Sequence, residues 1–219
     1  MFKYFIIFTS IIIIHEFGHL IIALLFKWKV EKLIILPFGG ITIFNEKIDK
    51  PLYQEFLIAI AGPLFQIIFY YLYKDNYIFS YLNKTILLFN LLPIYPLDGS
   101  KIINIISNMF ISFKYSHIFT IFISITTTIL ILLSIYLYNL NLLLILILLF
   151  IIKEIFNEIK KHNFYFNKFL LERYLYKNKY KKTKIISNIK KMKKQTTHIF
   201  SLNNKYYNES YILSKRFDK

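Results

Sequence analysis

Residues 11–22 read IIIIHEFGHLII, two histidines and a glutamate set in an aliphatic run. The run extends from about Tyr4 to Phe26, with Lys3 and Lys27 as the flanking charges. About 20 consecutive apolar residues carry a helix across the hydrocarbon core of a bilayer. His15 lies eleven residues after Tyr4, roughly 16 Å along a helix that rises about 1.5 Å per residue, which is near the bilayer midplane. Ionisable groups at that depth cost several kcal/mol each and mark function by default. One early lysine, no small-residue cleavage site and the embedded His-Glu-x-x-His make this a retained helix, not a removed leader.

The rest of the chain agrees. Of 219 residues, 56% are hydrophobic and 18% charged, with a mean hydropathy of +0.48. Four further spans follow, at about Glu55–Tyr73, Tyr81–Phe110 (interrupted by Pro93 and Pro96), Tyr115–Tyr138 and Leu140–Phe156. Only helices and closed barrels satisfy their own backbone in lipid, and barrel-type alternation is absent. The expected fold is therefore an all-α polytopic membrane protein, a bundle of about five transmembrane helices, the last two forming an antiparallel hairpin. Val30–Lys50 is too short and too polar to span. Alternation around Leu33–Phe38 and Ile41–Phe44 predicts a short β-hairpin insertion there, turning at Gly39-Gly40.

Charge sets the orientation. The net charge is +16, and residues 157–219 hold 17 Lys/Arg against 4 Asp/Glu, so +13 of it lies there. With that tail in the cytoplasm, Lys27, Lys29, Lys32, Lys47, Lys50 and Lys114 are inside as well. Lys3, Lys74 and Lys84 face out, so the N-terminus is outside. This divides the chain into a membrane domain, 1–156, and a basic cytoplasmic tail, 157–219. After about Tyr176 the tail is lysine-rich without a sustained apolar face, and partial order at best is expected. The tail keeps its end inside and can touch anionic lipid. No nucleic-acid-binding fold or motif is present, and no such partner is expected. There is no cysteine, which excludes disulfides and thiolate metal sites.

His15 and His19 are four apart, so on a helix both imidazoles share one face and can grip a single Zn²⁺. Glu16 is one residue out of that register, where a carboxylate can act on water without being a ligand, as in a metalloprotease general base. Two histidines leave a catalytic zinc one protein ligand short, and Asp98 is the only aspartate in a span. It follows Pro93 and Pro96, which lack N–H groups and free carbonyls at membrane depth, a suitable place for a ligand and an extended substrate. His117, His162 and His198 read as interfacial or solvated. The chemistry expected is hydrolysis of a peptide bond in or next to the membrane. The rival readings are a metal-ion transporter using the same ligands and a non-enzymatic scaffold working through the tail.

The pairing of HExxH in one membrane helix with Asn90-Leu-Leu-Pro-Ile-Tyr-Pro-Leu-Asp-Gly99 in a later one resembles the site-2 protease family of intramembrane metalloproteases, its sporulation subgroup above all. Leu36-Pro-Phe-Gly-Gly40, Ala61-Gly-Pro-Leu64 with Gln66, Lys101, and Phe169-Leu-Leu-Glu-Arg-Tyr174 match too, in the same order, over roughly four-fifths of the chain. The resemblance implies one zinc per chain held by His15, His19 and Asp98, with Glu16 as catalytic base. It also implies that Asn90 lies near the scissile bond and that Phe38, Gly39 and Gly40 help hold the substrate as a strand. It further implies a membrane-associated sigma-factor precursor as substrate, inhibitory membrane proteins as partners, and the outer forespore membrane as location. The subgroup usually has one more helix before HExxH and a C-terminal CBS pair, for which the roughly forty residues after Tyr180 are too few.

Overall fold

The computed structural model describes residues 2–36, 39–44, 47–138, 142–177, 180–202 and 205–218. It divides into two compact units, residues 1–46 with 53–102, and residues 47–52 with 103–219. The boundary expected at 156/157 falls inside a helix that runs unbroken from Leu142 to Tyr176.

The first unit opens with α1 (Phe2–Leu25), followed by β1 (Val30–Leu36) and β2 (Gly39–Phe44). Helix α2 (Leu52–Tyr73), α3 (Tyr77–Asn90) and the start of α4 (Asp98–Phe110) complete it. Its polarity is inverted relative to a water-soluble protein. Phe5, Phe17, Leu24, Ile68 and Leu88 are exposed, whereas His15, Glu16, His19, Gln66, Asn83, Asn90 and Asp98 are buried. Such a surface has lipid as its solvent.

Strands β1 and β2 pair antiparallel, with Leu36 opposite Gly39 and Ile35 opposite Gly40. Both glycines therefore belong to the strand and not to the turn expected at them. Pro37 and Phe38 lie outside the described residues. Strand β2 packs against α1.

Among the described residues three helices are long and apolar enough to cross a membrane: α1, α2 and the Phe113–Ile135 part of α5. The third expected span is two helices of 14 and 13 residues, each too short to cross alone. Asn76 starts the first of them by accepting from the Phe79 N–H at 3.2 Å. Between them, residues 91–97 turn through local bonds, Ile94 N to Leu92 O at 2.8 Å and Leu97 N to Ile94 O at 2.8 Å.

In the second unit α5 (Phe113–Tyr138) packs on α6 (Leu142–Tyr176). The fifth expected span is thus only the first part of a 35-residue helix. The region after Tyr176, expected to be partly ordered at best, is folded: β3 (Thr183–Ile186), a 3₁₀ turn at Ile189–Lys191, β4 (Thr197–Leu202), β5 (Lys205–Asn208) and α7 (Glu209–Phe217). Strand β4 is central, parallel to β3 and antiparallel to β5. Among the described residues, the tail contributes only Ile186, Met192, Phe200 and Leu213 as buried apolar residues. Phe113 of α5 and Phe166, Phe169 and Leu170 of α6 supply the rest of that core. Buried Arg173 completes it, donating to Asp49 at 3.0 Å, Glu209 at 2.9 Å and the Thr196 carbonyl.

Candidate active site

Two helices in close contact build the site. A Cβ at Gly18 of α1 would lie 2.6 Å from the Ala61 carbonyl oxygen of α2, so only glycine admits that approach. The buried face of α1 then carries His15, Glu16 and His19 into the unit. Their ligand atoms all lie within 4.8 Å of one another.

Helix α2 answers this face with residues four apart. His19 Nδ1–H donates to the Ile58 carbonyl at 2.7 Å. His15 Nδ1–H donates to Gln66 Oε1 at 2.8 Å. Between these two acceptors, a Cβ at Gly62 would sit 2.3 Å from His19 Nε2 and 2.8 Å from His15 Nε2. Glycine is required there because the two rings occupy the space of a side chain.

These bonds set the tautomers, that of His15 so long as Gln66 keeps its oxygen toward the ring. With Nδ1 protonated on each ring, each Nε2 presents a lone pair. His15 Nε2 lies 2.8 Å from Asp98 Oδ2, His19 Nε2 lies 3.0 Å from it, and the two nitrogens are 3.1 Å apart. Three lone-pair atoms in one buried triangle repel unless a cation sits among them. Zinc bonds of about 2.0–2.1 Å to N and O in tetrahedral array place ligands about 3.3 Å apart, so the triangle fits zinc to within about half an ångström. Asp98, first residue of α4, divides its carboxylate: Oδ2 faces the histidines and Oδ1 accepts from Lys101 Nζ at 2.9 Å. A helix N-terminus further favours the negative charge.

Three comparisons with known proteins bear on this geometry. Peptidase family M50 matches residues 3–74. Stage IV sporulation protein FB of Bacillus subtilis is 29% identical over 181 residues, covering 77% of this chain and 63% of that protein. A zinc metalloprotease of Methanocaldococcus jannaschii is 34% identical over 121 residues, covering 49% of this chain and 34% of the other. The solved site-2 protease from Methanocaldococcus jannaschii superposes with a TM-score of 0.56 at 29% identity, over 70% of this chain and 76% of that one. The chain is similar to the site-2 proteases in sequence and in fold. It spans less than two thirds of the length of the sporulation protein and about a third of the archaeal metalloprotease.

Against that site-2 protease likeness, the expected residues divide in two. His15, Glu16, His19 and Asp98 form the buried centre. Asn90 ends α3, buried, while Pro93 and Pro96 lie in the turn that leads to Asp98. Gly39 and Gly40 open β2.

The Ile58 carbonyl carries no sequence signal, since any residue has one. Gln66 and Lys101 stand in matching motifs, but spacing along the chain does not say which histidine or carboxylate oxygen each would meet. The other histidines, expected to be interfacial or solvated, each have protein partners. In the second unit, His117 Nδ1 and His162 Nδ1 are 2.9 Å apart with stacked rings, and His117 Nε2 is 3.4 Å from Glu158. Burial, helped by the charge of Glu158, pushes the Tyr165 hydroxyl beside them up to about 12. His198 is buried between Arg173 and Glu209.

Proposed function

We propose that this chain is an intramembrane zinc endopeptidase that hydrolyses a peptide bond in or beside the bilayer. His15, His19 and Asp98 hold one zinc, and Glu16 is the general base. The observation that carries the reading is the triangle of His15 Nε2, His19 Nε2 and Asp98 Oδ2, 2.8–3.1 Å on a side and buried. Zinc bound there supplies Lewis acidity, lowering the pKa of water and polarising a carbonyl. Glu16, buried beside the histidines, takes the proton of the attacking water and returns it to the leaving amine. Lys101 holds Asp98 in place and balances part of its charge. A helical substrate satisfies its own backbone, so the cut segment must be extended. The residues we assign to holding it are Asn90, Pro93 and Pro96 in the turn after it, Gly39 and Gly40 at the start of β2, and Phe38.

The similarity to a stage IV sporulation protein supports a role in sporulation; a sigma-factor precursor as substrate, inhibitory membrane proteins as partners and the outer forespore membrane as location are what we propose from the resemblance to that subgroup. Lysine distribution supports an outside N-terminus and a cytoplasmic segment from residue 157. The test is co-expression with candidate sigma-factor precursors. Cleavage should be abolished by Glu16→Gln while about one zinc per chain is retained, given that general-base loss costs about 10²–10⁴-fold. Intact cleavage by that variant refutes the assignment.

A further inference from the structure

Asn83 stands one residue back from the metal site, behind Gln66, yet the geometry points to it as the residue that decides how His15 presents itself. We propose that Asn83, on α3, is a positioning residue. It locks the side-chain amide of Gln66, on α2, in the one orientation that leaves His15 Nε2 unprotonated and available as a ligand. This rests on the zinc-centre reading above and adds a component to it.

A glutamine amide has two ends of nearly equal size and opposite hydrogen-bonding character. Facing His15 Nδ1, its oxygen accepts the Nδ1 proton, and the lone pair stays on Nε2. Turned over, its NH₂ would donate to Nδ1. The ring proton would then move to Nε2, into the face shared with Asp98 and His19, and His15 would be lost as a ligand. Contact with His15 alone does not choose between these states, because the ring can adopt either tautomer. A second partner is needed at the other end of the amide.

Asn83 is that partner. Gln66 Nε2 donates to Asn83 Oδ1 at 3.3 Å. Asn83 is itself an amide and needs fixing, and its Nδ2 donates to the Gln66 backbone carbonyl at 3.2 Å. A main-chain oxygen cannot turn over, so the sequence of orientations starts from a fixed point and ends at His15 Nε2. Gln66 is fully buried and Asn83 is 2% exposed, so water does not compete for these bonds. Partners of metal-bound histidines typically contribute about 10–100-fold to metal affinity.

The test is zinc affinity, measured by chelator competition on the full-length protein in detergent, with the visible spectrum of the Co²⁺-substituted form. Gln66→Leu should weaken zinc binding by about 10–100-fold. Asn83→Leu should weaken it by about 10-fold and alter the cobalt spectrum. Asn83→Asp, whose oxygens still accept from Gln66, should bind zinc within about threefold of wild type, expectations scaled from the same range. The decisive comparison is Asn83→Leu in a Gln66→Glu background. A carboxylate presents an acceptor to His15 whichever way it turns, so the loss should vanish. A merely structural cavity would cost the same in both backgrounds. Equal losses in both, or no loss from Asn83→Leu in a tightly binding wild type, overturns the proposal alone. A wild type that binds no zinc overturns the zinc-centre reading and this inference with it.

Discussion

Gly62→Ala adds a single methyl group to the centre, and the structure sets the size of its effect. The new Cβ would lie 2.3 Å from His19 Nε2, 2.7 Å from His19 Cε1 and 2.8 Å from His15 Nε2, where ordinary contact begins at 3.4 Å. His19 must therefore retreat by about 1.1 Å and His15 by about 0.6 Å, differences taken from those distances. Neither ring can move freely, since their Nδ1 atoms are held by the Ile58 carbonyl and Gln66. Metal–ligand distances tolerate only about ±0.2 Å, so both nitrogens leave bonding range together. A displacement of about 1 Å at a reacting centre costs about 10²-fold in rate, and peptide cleavage should fall by at least that. Zinc affinity should fall by about 10-fold or more. The stability cost, by contrast, is that of modest overpacking, about 1–3 kcal/mol, and the helices should persist. Chelator competition in detergent, paired with a circular-dichroism melt, measures both. A folded Gly62→Ala protein with wild-type zinc affinity would refute the packing argument, and with it the placement of the centre against α2.

Three other outcomes follow from the same geometry. Asp98→Asn replaces an anionic ligand with a neutral, poorer one and leaves Lys101 without its ion-pair partner, so bound zinc and turnover should both drop steeply by elemental analysis and peptide assay; wild-type metal content would place the third ligand elsewhere. Burial raises the Glu172 carboxyl above the ordinary glutamate range, opposed by the Ile48 and Asp49 N–H groups that donate to it. A raised folded-state pKa favours the protonated form in the fold. Its contribution to stability is complete below the unfolded value near 4.3 and is lost as pH rises through the folded one. Melting temperatures between about pH 4 and 7 should therefore show a smaller decline for Glu172→Gln, which keeps an acceptor for both N–H groups, and an unchanged slope would contradict this. Truncation after Tyr176 removes Ile186, Met192, Phe200 and Leu213 from the core they share with Phe169 and Leu170, so the shortened chain should bind an apolar dye and melt earlier; an unchanged melt would mean that core adds nothing.

The parts of the site legible in the sequence were those in which one residue carries its own signal. HExxH needs only a helix to bring two imidazoles to one face, and α1 supplies it. Asp98 stood out as an acid where lipid tolerates few, and it does face the histidines. What stayed hidden depends on which atoms of distant segments meet: the Ile58 carbonyl, the bare face of Gly62, and Asn83 reaching Gln66 across seventeen positions. The hairpin was legible, but its turn was not, because glycine's conformational freedom points to a turn whereas Gly39 and Gly40 pair with Leu36 and Ile35 in the ladder. The tail was misread for a different reason. Its few apolar residues are scattered among lysines and show no face of their own, because Phe166, Phe169 and Leu170 of α6 provide the other half of the core.

The three points at which α2 meets the histidines, Ile58, Gly62 and Gln66, are spaced at intervals of four, one for each helical turn. The first offers the histidines only its main chain, and its side chain answers to a different demand, packing with Ala23 and Trp28. The second must have none, and the third must offer an acceptor. Substitution tolerance along this helix should thus be uneven, open to other apolar side chains at 58 and narrow at 62 and 66. Length tolerance between 58 and 66 should be nil. One inserted residue turns everything beyond it by about 100° and shifts it by about 1.5 Å, carrying one prop off the face toward the histidines while leaving the other in place. Distance along α2 is consequently a stricter signature of this centre than the identity of most residues on it, and alignments that open a gap between those two positions pair chains whose centres are built differently.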